Sequence, residues 1–153
     1  MTKDTYEYTS ITTVNVPEEF YADKSENIDK SYQNLANVLG MGNIEFFTMT
    51  VLIGKFIVGQ KKETGTTLPF IRYADNLHKD EMTMLYAFAV NEVDSVYILK
   101  DKVAMREMWQ EYSCAGFEEI YEWYIDKNKD FEVRLSEELN NRFNINKSFY
   151  ENE

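Results

Sequence analysis

Residues 44–59, IEFFTMTVLIGKFIVG, decide the fold. Ile44, Phe46, Phe47, Met49, Val51, Leu52, Ile53, Phe56, Ile57 and Val58 leave Glu45 and Lys55 as the charged members of the run. Its length falls short of the roughly 20 apolar residues that span a bilayer, and the two charges interrupt it. A helix that is apolar nearly all round belongs in the middle of a core. The run therefore predicts a central helix over 44–60, with the other segments packed about it.

The flanks of this run fit that reading. Ser25 is an N-cap candidate for a helix over 25–39, with Ile28, Tyr32, Leu35 and Leu39 on one face. Gly40-Met41-Gly42 breaks that helix and Asn43 can cap the next. This Gly-x-Gly follows a helix rather than a strand and lacks a third glycine, which argues against a dinucleotide fold. On the other side, KKETGTTL (61–68) is polar and turn-like, and Pro69 imposes extended geometry on Leu68. Residues 68–74 read as a short strand or an extended crossing.

An amphipathic helix is expected at 77–92, with Met82, Leu85, Tyr86, Ala89 and Val90 inward. The segment 93–99 continues it or is extended. Asp101 is the expected N-cap of a helix to 113, carrying Met105, Met108, Trp109 and Tyr112. Ala115-Gly116 is expected to separate it from a helix at 117–126 with Phe117, Ile120, Tyr121 and Tyr124 inward. A last helix at 131–143 presents Phe131, Leu135, Leu139 and Phe143. The N-terminal TYEYTSITTVNV (5–16) is rich in β-branched and aromatic residues. With no evident partner strand, it reads as an arm that pairs with another chain, a route to homo-oligomers. The expected fold is thus mainly α. Residues 1–16 form an extended arm, 17–143 one compact multi-helix domain around the 44–60 helix, and 144–153 a flexible tail.

Length and composition agree. A chain of 153 residues that is 44% hydrophobic has the material for one domain with a sizeable core. A single cysteine, Cys114, allows no internal disulfide. No basic segment followed by an apolar one opens the chain, and no membrane span is expected, so a cytoplasmic protein is expected. The net charge is −11. Lys55, Lys61, Lys62, Arg72 and Lys79 face Glu45, Glu63, Asp75 and Asp80 within residues 41–80, so that window is +1 and the rest of the chain −12. Such a chain is not drawn to nucleic acid as a whole. Lys61 and Lys62 form a local basic patch that suits phosphate or an acidic partner, or are solvated lysines beside a helix end.

Several patterns invite a chemical reading. Asp126, Asn128, Asp130, Val133 and Glu137 match an EF-hand loop, but Phe131 stands where the sharp turn needs glycine and Arg134 points a cation at the site. An acidic connection between helices is the expected reading. Glu118, Glu119 and Glu122 resemble a carboxylate cluster, yet the only histidine, His78, is distant, and di-iron bundles need Glu-x-x-His pairs. Cys114 has no basic neighbour in sequence and reads as a small buried residue. No catalytic residue, cofactor or metal is therefore assigned. Trp123 falls off the apolar stripe beside Glu122, and an exposed aromatic rimmed by polar residues suits a protein interface.

The order of segments over about 44–125 resembles a known family. A capped apolar helix ends in Gly59-Gln60-Lys61-Lys62, and an extended proline segment follows. Then come EMTMLYAFAVNE (81–92), Ile98-Leu99-Lys100-Asp101 and EYSCAGFEEIYEW (111–123). This arrangement is similar to the small accessory proteins encoded beside bacterial DNA phosphorothioation (Dnd-type) genes. That family carries a stronger basic run after the apolar helix; here Lys61 and Lys62 stand in its place. The resemblance implies a non-catalytic component of a bacterial DNA-modification or defence system. The expected function is an accessory or adaptor subunit that binds a larger protein partner through Trp123, Glu118, Glu119, Glu122, Lys61 and Lys62. The alternative is an acidic DNA mimic of the phage-inhibitor type.

Overall fold

The apolar run folds as two joined pieces. In a computed structural model describing residues 11–22, 24, 26–126, 128 and 130–143, Asn43–Ile53 is an α-helix (α2; α1 is Tyr32–Val38). Gly54–Val58 continues it as a π-helical turn, closed by Gly59 in the left-handed conformation at φ 80°. Ile44, Phe46, Phe47, Thr48, Thr50, Val51 and Ile53 are buried, as a helix apolar all round requires. The expected central helix over 44–60 is present, and its end widens into a π turn where Gly54 meets the next helix.

That partner is α5 (Lys102–Ile125), which runs 24 residues without interruption; α3 (Ala74–Leu77) and α4 (Lys79–Val93) precede it. The expected break at Ala115-Gly116 does not occur. Gly116 is instead the point of closest approach: a Cβ there would lie 1.8 Å from the Thr50 carbonyl oxygen, and one on Gly54 1.9 Å from the Tyr112 carbonyl oxygen. The glycines let two helix backbones touch, which a side chain on either would prevent. Around the crossing, Tyr32 stacks on Phe117 at 4.3 Å and meets Phe46 and Phe70 edge-on.

A chain of hydroxyls is sealed in the same place. Thr50 donates to the Phe47 carbonyl at 2.6 Å, and Ser113 lies 2.6 Å from Thr50 and 2.8 Å from Tyr32. Each hydroxyl has one proton. Ser113 must then donate to Thr50, and Tyr32 to Ser113. Burial pushes the Tyr32 phenol well above its ordinary pKa.

The caps explain most boundaries. Ser31, not Ser25, caps α1, accepting from the Asn34 N–H; Ser25 lies outside the described residues. Ile28, expected inward, is 66% exposed, because residues before Lys30 form turns held by Asn27 and Asp29 side-chain and backbone bonds rather than helix. Gly40, at φ 69°, closes α1 with Met41 N–H on the Ala36 carbonyl and its own N–H on Asn37, a Schellman end. Gly42 then caps α2, with Asn43 inside it. Asp101 caps α5 by accepting from the Ala104 N–H, as expected. Between α4 and α5, Val96–Lys100 is a 3₁₀ turn. The last helix, α6, is Phe131–Phe143.

Thr13–Pro17 (β1) has its partner strand in the same chain. It pairs antiparallel with Thr67–Arg72 (β2), with Thr13 opposite Arg72 and Pro17 opposite Thr67. This corrects the reading of that stretch as an arm without an internal partner; residues 1–10 lie outside the described residues. The edge is fastened to α3 and α4 by Asp75, which accepts from the Ile11 N–H and from the Tyr86 hydroxyl. The result is a mainly α single core with a two-stranded sheet at its side. No single helix among the described residues is long and apolar enough to cross a membrane.

Candidate partner-binding cleft

The left-handed turn at Gly59 sends the chain off the π-helical end and back along α5. The Lys62 N–H bonds to the Glu111 carbonyl at 3.1 Å, which holds the loop parallel to that helix. On α5, Ala115, Glu118, Glu119 and Glu122 recur at helical spacing, so they share one face. Val58, Gln60, Lys61 and Lys62 stand opposite, and Lys30 closes one end. Together they line a cleft of about 450 Å³. Five of the six residues assigned to partner binding from sequence therefore meet in one place: Lys61, Lys62, Glu118, Glu119 and Glu122.

The charges there are largely matched. Lys62 pairs with Glu118, and that hydrogen bond holds its ammonium above the ordinary lysine value. Lys61 sits 5.5 Å over the Tyr112 ring. Lys30 lies 5.3 Å over Phe20 and 5.2 Å over Tyr121. Glu119 accepts from the Trp123 indole N–H at 3.0 Å, while Glu122 is exposed. Two further hollows are lined by the next residues of the loop, Glu63, Thr64 and Gly65. One, of about 560 Å³, includes Glu18, Glu19 and Glu63; the other, of about 410 Å³, includes Glu63, Glu107 and Glu111. The loop lysines stand among carboxylates, so the cleft carries both charge signs.

Trp123 is the sixth residue, and it is not a surface anchor. It is 2% exposed, and its ring lies 6.2 Å from Phe131 of α6. Its stripe is legible only on an unbroken helix: Met105, Trp109, Tyr112, Gly116, Ile120 and Trp123 follow one another in steps of three or four residues. A break at Ala115-Gly116 would cut this stripe in two and leave Trp123 off the apolar face of 117–126. Tyr124, expected inward, is 39% exposed for the same reason.

The remaining candidates have structural surroundings. Burial pushes the Cys114 thiol up to about 12, with Glu118 adding to the shift and nearby Lys62 offsetting part of it. The thiol is therefore protonated and weakly nucleophilic at neutral pH. In the EF-hand-like stretch, Asp126 accepts from Arg134 at 3.1 Å and from the Asn128 N–H, so an arginine occupies the first carboxylate. Among the described residues, no three His, Cys, Asp or Glu side chains are grouped to hold a metal ion. His78 sits at the start of α4, where its carbonyl accepts the Met82 N–H.

One polar cluster escaped the sequence reading. Lys55 bonds to Glu92 at 2.9 Å, and the Tyr112 hydroxyl donates to Glu92 at 2.7 Å. Lys55 also sits 5.6 Å over the Tyr112 ring. Burial opposes ionisation of Glu92, but the bonds from Tyr112 and Lys55 outweigh it and hold its carboxyl below the ordinary value. The spacing from 55 to 92 to 112 carries no local pattern, so only the packing of α4 beside the α2–α5 pair reveals it.

No protein-family model, curated protein or solved structure matches this chain.

Proposed function

We propose that this chain is a non-catalytic accessory or adaptor subunit that binds a larger protein partner through the cleft between the 60–62 loop and α5. The observation that supports it is the convergence of Lys61 and Lys62 with Glu118, Glu119 and Glu122 around one opening. A segment carrying both charge signs can replace the internal pairs, laying its aliphatic parts over Val58 and Ala115. Such exchange favours specificity over raw affinity, since each existing pair must be broken. The segment order over 44–125 motivates the setting: a bacterial DNA-modification or anti-phage system.

The second reading is an acidic mimic that occupies a nuclease's phosphate sites. Two observations favour it. The two further hollows carry Glu18, Glu19, Glu63, Glu107 and Glu111, and Trp123 is withdrawn from the surface.

The test begins with pull-down from the native host, using the wild type, Lys61→Ala/Lys62→Ala and Glu118→Ala/Glu119→Ala/Glu122→Ala. Unfolding curves confirm that each variant is folded. The adaptor reading expects one partner, lost with either variant and retained in part at high salt. A partner lost only with the glutamate variant and dissolved by salt favours the mimic, because charge-driven binding is screened. Equal retention of the partner by both variants removes the cleft from the proposal.

A further inference from the structure

Helix α6 is attached differently from the rest of the fold. Each of the other α-helices longer than one turn contributes fully buried side chains. Over the residues of α6 whose side chains are described, 131–141, none is fully buried; Phe131 and Leu135 pack half-exposed against the core. The helix lies against the π-helical turn 54–58 and the end of α5. Its attachment includes the Phe131–Trp123 ring contact at 6.2 Å and an ion pair from Arg134 to Asp126, and Arg134 also pairs with Glu138 one turn along the same helix. These ion pairs are about 30% exposed and open to screening.

What lies beneath α6 connects to the cleft. Phe131 covers one part of Trp123, and the same indole donates its N–H to Glu119, a cleft-lining carboxylate. The contacts therefore run from α6 through Phe131 and Trp123 to Glu119.

We propose that α6 is a detachable strap whose docking sets the state of the cleft. Docked, it holds Trp123 in the core and Glu119 on the indole. Released, it uncovers Trp123 and frees Glu119 to meet a cationic group of the partner. The inference rests on the cleft being the binding site only for its biological consequence; the coupling itself is a property of the chain alone. Elements held by few buried apolar groups open before the core does. Coupling between two sites is reciprocal, so a change at Glu119 must be felt by α6.

The experiment is hydrogen–deuterium exchange on the full chain, read by peptide, for wild type, Phe131→Ala and Glu119→Ala. Phe131→Ala is expected to speed exchange in 131–143 and in 119–125, leaving 44–53 and 105–116 at wild-type rates. Glu119→Ala is expected to speed exchange in 131–143 too. Faster exchange everywhere with Phe131→Ala would make α6 part of the single cooperative core and overturn the proposal. So would unchanged exchange in 131–143 with Glu119→Ala. Neither readout uses a partner, so failure of the strap and failure of the cleft reading are separable.

Discussion

Gly116 stands 2.7 Å from the Gly54 backbone nitrogen, measured from where its Cβ would be, and nothing flexible lies between them. The helix pair α2–α5 is thus built on backbone contact. Gly116→Ala and Gly54→Ala should each cost about 3 kcal/mol or more, at the upper end for overpacking, because backbone rather than a side chain must move. Gly40→Ala is the contrast. Its Cβ would meet open space, and only the left-handed φ of 69° opposes it, so about 1 kcal/mol is expected. Urea unfolding of the three variants checks the ranking. A loss below about 0.5 kcal/mol at Gly116 would mean that the helices are not in backbone contact.

Phe47→Ala should cost about 3–5 kcal/mol, since Phe47 is 0% exposed in the middle of α2. Leu52, on the same helix, is only partly buried and should cost clearly less. Equal costs would place Leu52 in the core and rotate α2.

These two residues also mark how far the sequence could be read. A run of apolar residues announces a buried helix, because nothing else satisfies so much apolar area. It does not announce which few members reach the rim, since an all-round apolar helix has no polar face to orient it. The same ambiguity explains Gly116. In sequence, a glycine between two helical patterns reads as a break. In the fold it is a contact point, and only the partner helix distinguishes the two. The lysine and glutamate sets were each visible as local clusters. Their meeting depended on the left-handed turn at Gly59, which local pattern does not specify. The strand pairing of Thr13 with Arg72 spans the chain in the same non-local way.

Stability should fall at alkaline pH, and the sign follows from burial. A thiol with a higher pKa in the fold than in the unfolded chain leaves stability unchanged below the unfolded value of about 8.5. Between there and about 12, the unfolded chain loses the proton while Cys114 keeps it, so stability declines as pH rises. Tyr32, raised by burial, adds to the decline above about pH 10. Unfolding free energies at neutral pH and at about pH 10.5 should differ less in Cys114→Ala than in wild type. An identical difference in both would show that the thiol is not shielded.

Glu92 should act at the opposite end. Its carboxyl is held below the ordinary value, so its contribution is present above the unfolded pKa of about 4.3 and is lost as pH falls through the folded one. Glu92→Gln should flatten part of the acid limb of the stability curve while changing the alkaline limb little. An acid limb unchanged by Glu92→Gln would mean that Lys55 and Tyr112 do not favour its ionised form.

Trp123→Ala separates a core residue from an interface residue. Were Trp123 an interface anchor, truncating it would weaken a partner and leave the fold alone. At 2% exposure, with its N–H on Glu119 and its ring against Phe131, it should instead behave as a large core side chain. The expected cost is about 3–5 kcal/mol in urea unfolding. Trp123→Phe retains ring contact with Phe131 but loses the bond to Glu119, so it should cost less, with a residual loss of about 1 kcal/mol for the hydrogen bond. Trp109→Phe is the companion measurement: Trp109 donates to the Leu85 carbonyl and is 0% exposed. Losing that donor leaves the buried Leu85 carbonyl with its helical hydrogen bond alone and no water to replace the indole, whereas Glu119 is partly open to water and can be rehydrated. The phenylalanine change should therefore be costlier at 109 than at 123. The reverse order, or a Trp123→Ala cost below about 1 kcal/mol, would return Trp123 to the surface and restore it as a candidate partner contact.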